Sequence, residues 1–213
     1  TFIRVIDGAQ PVKLALPMDE GADGTTYDQS GNGNNGTING ASWVDGKFGK
    51  ALSFDGTDDY VNSGTDASLD LSALTVEAWV KPSSLQLGGI VDMAQEGTEI
   101  ENYGVLIAGS VLYFQWNNVG WCQVNDPNYW VVDIWHYVVV TYNNGEVKIY
   151  KNAIETVSSA GQPALVTDTT NVLKIGRYQV GSLGWFNGII DEVRIYNRAL
   201  SEAEITDLYN NYG

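Results

Sequence analysis

The fold is decided by residues 188–209, GIIDEVRIYNRALSEAEITDLY. Side chains alternate along a strand, so Ile189, Val193 and Ile195 are expected on one face, with Asp191 among them. A carboxylate among aliphatic neighbours is costly unless it is paired or bound to something. Glu192 and Arg194 share the opposite face, two residues apart, and are expected to form an ion pair, with Tyr196 beyond them. After the strand, Ser201 and Glu204 match the S-x-x-E pattern of a capping box and predict a short helix. The stretch therefore poses one question for the rest of the chain, which is what satisfies Asp191.

Working outward, 213 residues suit one large β domain with room for a sizeable core. The 24 glycines, 7 tryptophans and 12 tyrosines fit many strands joined by tight turns. A net charge of −15 opposes nucleic acid and anionic membranes and favours cations. The single cysteine, Cys122, excludes an intrachain disulfide without fixing the compartment. No apolar run approaches the roughly 18 residues of a membrane span. With neither a signal peptide nor an initiator Met, the sequence is expected to be a mature or excised piece of a longer secreted or cell-surface protein, covalently linked to neighbouring domains.

Residues 1–11 read as a lead-in or linker, and 12–213 as the domain. Lys13–Met18 alternates weakly. Residues 28–40, DQSGNGNNGTING, are too rich in glycine and Asx for helix or strand. Strands are expected at Ala51–Phe54, Tyr60–Asn62, Leu74–Lys81, Gly89–Met93, Tyr103–Ile107 and Val111–Trp116. Trp135–Tyr142 and Glu146–Lys151 form a hairpin through Asn143-Asn144-Gly145, which supplies the positive φ that such turns need. Val172–Gly176 and Gly188–Tyr196 complete the set. About a dozen strands and one terminal helix indicate an all-β sandwich.

The ordered segments DEGADGTTYDQSGNGNNGTING, GKFGKALSFDGTDDYV, LTVEAWVKP, WHYVVVTYNNGEVKIYKN and FNGIIDEVRIYNRALSEAEI resemble the laminin-G-like jelly rolls of the concanavalin A-like lectin/glucanase superfamily. The resemblance runs from about residue 13 to residue 209. It implies a two-sheet antiparallel jelly-roll β-sandwich with one short C-terminal helix, frequently a bound calcium, and a binding role rather than catalysis. Between Tyr103 and Trp135 the chain departs from the family pattern, so the resemblance says little about the ligand.

Calcium takes six to eight oxygens. The loop 28–36 offers Asp28, Asn32, Asn34 and Asn35 between glycines. The resemblance places the N-terminal strand near the last one, which would bring Asp191 to this loop. Asp28, Asn32, Asn34 and Asp191 are therefore the expected ligands of a structural Ca²⁺, with Glu20 in reserve. The competing reading is an Asx-rich turn that bonds its own backbone. Asp55–Asp59, DGTDD, reads as a solvated turn before it reads as a cation site. Zinc is excluded by one Cys and one His, and His136 reads as structural.

Residues 115–130, QWNNVGWCQVNDPNYW, interleave Trp116, Trp121, Tyr129 and Trp130 with Asn118, Gln123 and Asn125. Arg177, Tyr178 and Trp185 form a second cluster. Aromatic platforms with a few convergent amides suit the C–H faces and hydroxyls of sugars. The expected partner is a polysaccharide or oligosaccharide, with neither nucleic acid nor membrane insertion. The alternative is that the tryptophans are core. An enzyme is not expected. Glucanases of this fold carry E-x-D-x-(x)-E, and neither 96-EGTEIE-101 nor Asp191-Glu192 reproduces it. The chain thus reads as a non-catalytic carbohydrate-binding module, an accessory to a larger glycan-degrading enzyme. A protein-binding or adhesion module is the alternative.

Overall fold

The computed structural model describes residues 11–117, 120–127, 129–180 and 184–211. Most of the expected lead-in, and Asn118 among the expected ligand residues, lie outside them. In chain order the strands are β1 (Val12–Leu16), β2 (Thr25–Thr26), β3 (Gly36–Asn39), β4 (Ser42–Asp45), β5 (Lys50–Asp55), β6 (Tyr60–Asn62), β7 (Leu74–Pro82), β8 (Gly88–Ala94) and β9 (Glu101–Ala108). They continue as β10 (Val111–Asn117), β11 (Trp121–Asp126), β12 (His136–Asn143), β13 (Glu146–Lys151), β14 (Ile154–Ser159), β15 (Val172–Ile175), β16 (Arg177–Tyr178), β17 (Gly184–Trp185) and β18 (Asn187–Tyr196). One helix, α1 (Glu202–Asn210), follows. The all-β jelly-roll sandwich and its terminal helix are as expected.

The first sheet runs β14-β13-β12-β7-β18-β5-β4, with β1 also paired to β18. The second runs β11-β10-β9-β8-β15-β6-β3-β2. Every pairing is antiparallel, and β16 and β17 form a small hairpin of their own. The core between the sheets includes Leu16, Phe54, Val76, Ile107, Phe114, Val140 and Ile195. A smaller apolar cluster lies on the other face of the first sheet. There α1 sets Ile205, Leu208 and Tyr209 against Trp79 and Tyr137. Helix α1 opens as its sequence requires, with the Ser201 hydroxyl accepting from Glu204 N–H and the Glu204 carboxylate accepting from Ser201 N–H.

Strand β18 departs from simple alternation. Glu192 has φ 53°, and the pairing with β7 slips there, from Asp191 opposite Trp79 to Arg194 opposite Glu77. This one-residue bulge exchanges the faces upstream of it. Ile190, not Ile189, joins Val193 and Ile195 in the core. Asp191 turns to the face of Trp79, away from the core between the sheets. The expected ion pair is present, with Arg194 Nη2 at 2.6 Å from Glu192 Oε2.

Candidate functional site

The outer face of the second sheet carries a cleft of about 410 Å³, and alternation explains its lining. On β10, Leu112, Phe114 and Trp116 point into the core. Tyr113, Gln115 and Asn117 therefore point outward. The β11 residues directly opposite them are Asn125, Gln123 and Trp121. On β9, Leu106 stands across from Tyr113. Tyr113, Gln115, Trp121, Gln123 and Leu106 line the cleft from the sheet, with Glu99 at one end. Trp121 is 47% exposed, a large apolar ring held open to solvent.

The opposite wall comes from the β16–β17 hairpin, through Tyr178 and Val180. That hairpin lies directly on β8. A Cβ at Gly89 would come 2.4 Å from the carbonyl carbon of Arg177, and one at Gly88 would come 2.6 Å from Phe186 Cα. Only glycine permits this approach. Arg177 beneath the hairpin is buried and ion-paired to Glu96, with its guanidinium 4.3 Å from the Trp185 ring centre.

Of the expected ligand residues, Trp121, Gln123 and Tyr178 meet in this cleft. Asn125 continues the same strand face beyond the lining. The other described ones lie elsewhere. Trp116, Tyr129 and Trp130 are core, Trp116 because strand alternation turns it inward. The Tyr129 hydroxyl donates to Tyr150 O at 2.8 Å. Arg177 and Trp185 stack on each other as the foundation of the hairpin, so neither lines the cleft. Tyr113, Gln115 and Leu106 were missed, although the alternation in 111-VLYFQWN-117 already sets Tyr113 and Gln115 opposite Phe114 and Trp116.

Under the cleft floor lie two buried acids, Asp92 and Glu101. Asp92 Oδ2 accepts from Gln179 N–H at 2.6 Å, and Glu101 Oε2 accepts from Gln115 Nε2 at 2.9 Å. Burial pushes both carboxyls up, and Asp92 pushes Glu101 further. Gln115 Nε2 also donates to the Tyr178 hydroxyl at 3.1 Å. Both amide hydrogens of Gln115 are thus used, leaving its Oε1 as an acceptor and the Tyr178 O–H as a donor. Glu99 gives the cleft a formal negative charge.

The expected metal ligands do not assemble. Asp28 Oδ1 accepts from Ala15 and Ser30 N–H, and Oδ2 from the Ser30 hydroxyl and Asn34 N–H. Four donors occupy this carboxylate. Asn32 and Asn34 spend their side-chain amides on the backbone of β1. The loop is an Asx-rich turn docked on β1. Asp191 sits instead at the turn before β5, where Oδ2 accepts from Lys47 and Phe48 N–H at 2.8 and 3.1 Å. Its Oδ1 is buried with no hydrogen-bond donor. Desolvation, helped by the charges of Glu192 and Asp19 and opposed by the Phe48 and Lys47 N–H donors, raises its pKa to about 8. A buried donor-free carboxylate oxygen beside a second aspartate fits a hard cation, whereas the Asp28 set does not. Asp55, Asp58 and Asp59 form an acidic cluster in which Asp55 N–H donates to Asp59 and Thr57 N–H to Asp55, as in a self-capped turn.

A family model for the concanavalin A-like lectin/glucanases superfamily matches residues 55–206. Among solved structures, the chain is similar to domain 4 of AbnA, a GH43 extracellular arabinanase from Geobacillus stearothermophilus, in complex with arabinotriose. The two are 23% identical, with 93% of this chain and 98% of that one covered and a TM-score of 0.75. It is also similar to the binding domain of botulinum neurotoxin DC in complex with rat synaptotagmin II, at 14% identity and TM-score 0.71, over 95% of this chain and 52% of that one. Among curated proteins, adhesion G-protein coupled receptor V1 of Danio rerio is 24% identical over 151 residues, 66% of this chain. The chain spans 2% of that receptor's length. Among the described residues, no helix is long and apolar enough to cross a membrane.

Proposed function

Given that the chain belongs to the concanavalin A-like lectin/glucanases superfamily, we propose that it is a non-catalytic glycan-binding module that takes a neutral oligosaccharide in the cleft between β11 and the β16–β17 hairpin. The observation that carries this reading is Trp121, exposed beside a row of amides and phenols. A sugar ring stacks its C–H face on the indole, and its hydroxyls meet Gln115, Gln123 and Tyr178. The Glu99 carboxylate and the net charge of −15 favour an uncharged ligand. Support also comes from the arabinotriose complex of the arabinanase domain. In this reading the module is secreted or at the cell surface and tethered to a glycan-degrading enzyme. A structural Ca²⁺ would be held by Asp191 and Asp19 near the β5 turn and would pin the chain ends.

The test is isothermal titration with arabinotriose and a panel of neutral oligosaccharides, on wild type and Trp121→Ala. Loss of the platform should cost about 2 kcal/mol, roughly thirtyfold in Kd, with the fold intact. Equal affinity in the variant would remove the platform.

A second reading, a protein-binding or adhesion module, draws support from the receptor relative and from the toxin domain complexed with synaptotagmin. A chain that binds no glycan in the panel would favour it.

A further inference from the structure

The buried acids under the cleft have no role in stacking a sugar, yet the fold takes a detour to bring them together. Asp92 of β8 stands opposite Gly104 of β9. By alternation Glu101 would share the inward face of Tyr103. The β8–β9 register shifts between Met93 and Ala94 and skips Asn102, which returns Glu101 to the outer face. Both residues are fully buried.

Each acid has one oxygen satisfied by the protein, from Gln179 N–H and from Gln115 Nε2. The remaining oxygens, Asp92 Oδ1 and Glu101 Oε1, receive no donor from the protein. Both border the space left by the missing side chain of Gly104, where a Cβ would lie 3.1 and 2.2 Å from them. Two buried acceptors turned toward each other are untenable as two anions. One proton between them resolves the conflict.

We propose that Asp92 and Glu101 share a single proton, and that this proton positions Gln115 and Tyr178 for the ligand, making glycan binding in the cleft proton-dependent. The inference rests on the glycan reading of the cleft. The proton sits on Glu101 and is donated to Asp92. Asp92 is the better anion, since it accepts Gln179 N–H and lies near Lys174. Glu101 faces the negative charges of Asp92 and Glu99. Glu96 and Arg177 are engaged with each other, and Glu96 also holds Lys174 at 2.8 Å. From β10 the pair meets only the uncharged Gln115, and Tyr178 reaches it through that amide.

With the proton in place, Glu101 Oε2 fixes the Gln115 amide, whose second hydrogen goes to Tyr178. The cleft then presents the Gln115 Oε1 acceptor beside the Tyr178 O–H donor, the complement of a sugar hydroxyl. When pH rises through the elevated pKa of Glu101, a second charge appears beside Asp92 and Glu99. The pair separates or admits water, and the orientation of Gln115 is lost. Asp92 and Glu101 are positioning residues that do not touch the ligand.

The experiment follows side-chain carboxyl and amide NMR signals of the full chain from about pH 4 to about pH 10, in wild type and Glu101→Gln, with arabinotriose affinity measured in parallel. The Glu101 carboxyl should titrate well above the ordinary glutamate value of about 4.3, with Gln115 and Tyr178 signals moving at the same midpoint. Affinity should fall about tenfold or more across that midpoint in wild type. It should stay flat in Glu101→Gln, whose amide donates to Asp92 without titrating. An ordinary Glu101 titration, or Gln115 signals that move independently of it, would overturn the shared proton, and wild type alone suffices for this. An affinity that ignores the midpoint would overturn the link to binding. Absence of binding at every pH would instead overturn the glycan reading, while the same spectra still decide the shared proton.

Discussion

Asp191 Oδ1 is buried and receives no donor, so its surroundings disfavour the ionised form. Burial raises the Asp191 pKa to about 8. Between the ordinary value near about 4 and about 8, the fold keeps a proton that the unfolded chain has shed. Stability without metal should therefore fall as pH rises through that window and level off above it. A Ca²⁺ held by Asp191 would favour the ionised form, would add stability by binding only the folded state, and would displace a proton. Melting temperatures from about pH 5 to about pH 9, with Ca²⁺ and with chelator, should diverge most at the alkaline end. Asp191→Asn should abolish the divergence. Identical curves with and without Ca²⁺ would contradict a cation at this residue. The sequence marked Asp191 as a group needing a partner, but gave it the wrong face and the wrong loop. One residue accounts for the wrong face: Glu192 in a left-handed conformation, which non-glycine residues rarely adopt and which alternation does not foresee. The wrong loop followed from ligand-type residues at 28–36 whose oxygens and amides are spent on β1.

Most of the long strands, the β12–β13 hairpin and the capped helix were legible from the sequence, because each carries its own periodicity or turn chemistry. Strands β2, β3, β4 and β14 were not, being short or largely exposed at sheet margins where no apolar face declares itself. Strand β11 was not expected as a strand, since its outward residues are Trp121, Gln123 and Asn125 and only Val124 is buried. The sugar-platform reading of 115–130 therefore chose a segment that lines the cleft but mixed its two faces, counting Trp116 with Trp121. The cleft wall depends on an element that propensity does not reveal, the two-residue strands β16 and β17 lying on Gly88 and Gly89. Gly89→Val should lift this hairpin from the sheet, because its Cβ would meet the Arg177 carbonyl at 2.4 Å. The expected result is loss of glycan affinity by about tenfold or more, with the sandwich destabilised by about 1–3 kcal/mol yet folded. Unchanged affinity would mean that the hairpin is no part of the site.

For the molecule as a whole, two stacked sheets divide the work. The first sheet carries α1 on its outer face, so that face is occupied by the chain itself. The second sheet leaves its outer face open between β11 and the β16–β17 hairpin. A net charge of −15 opposes binding to nucleic acid and acidic ligands and is compatible with neutral glycans. The fold was legible because segments resembling the family follow one another in order along nearly the whole chain. The cleft was legible only in part, because it is assembled from residues as far apart as Leu106, Trp121 and Tyr178. The most direct test of a glycan site on the open sheet face is amide and side-chain shift mapping during titration with neutral oligosaccharides, arabinotriose first. The perturbations should centre on Tyr113, Gln115, Trp121, Gln123 and Tyr178 and leave α1 and the 28–36 loop unmoved. Saturable shifts confined to that loop, the β5 turn or α1 would contradict the site.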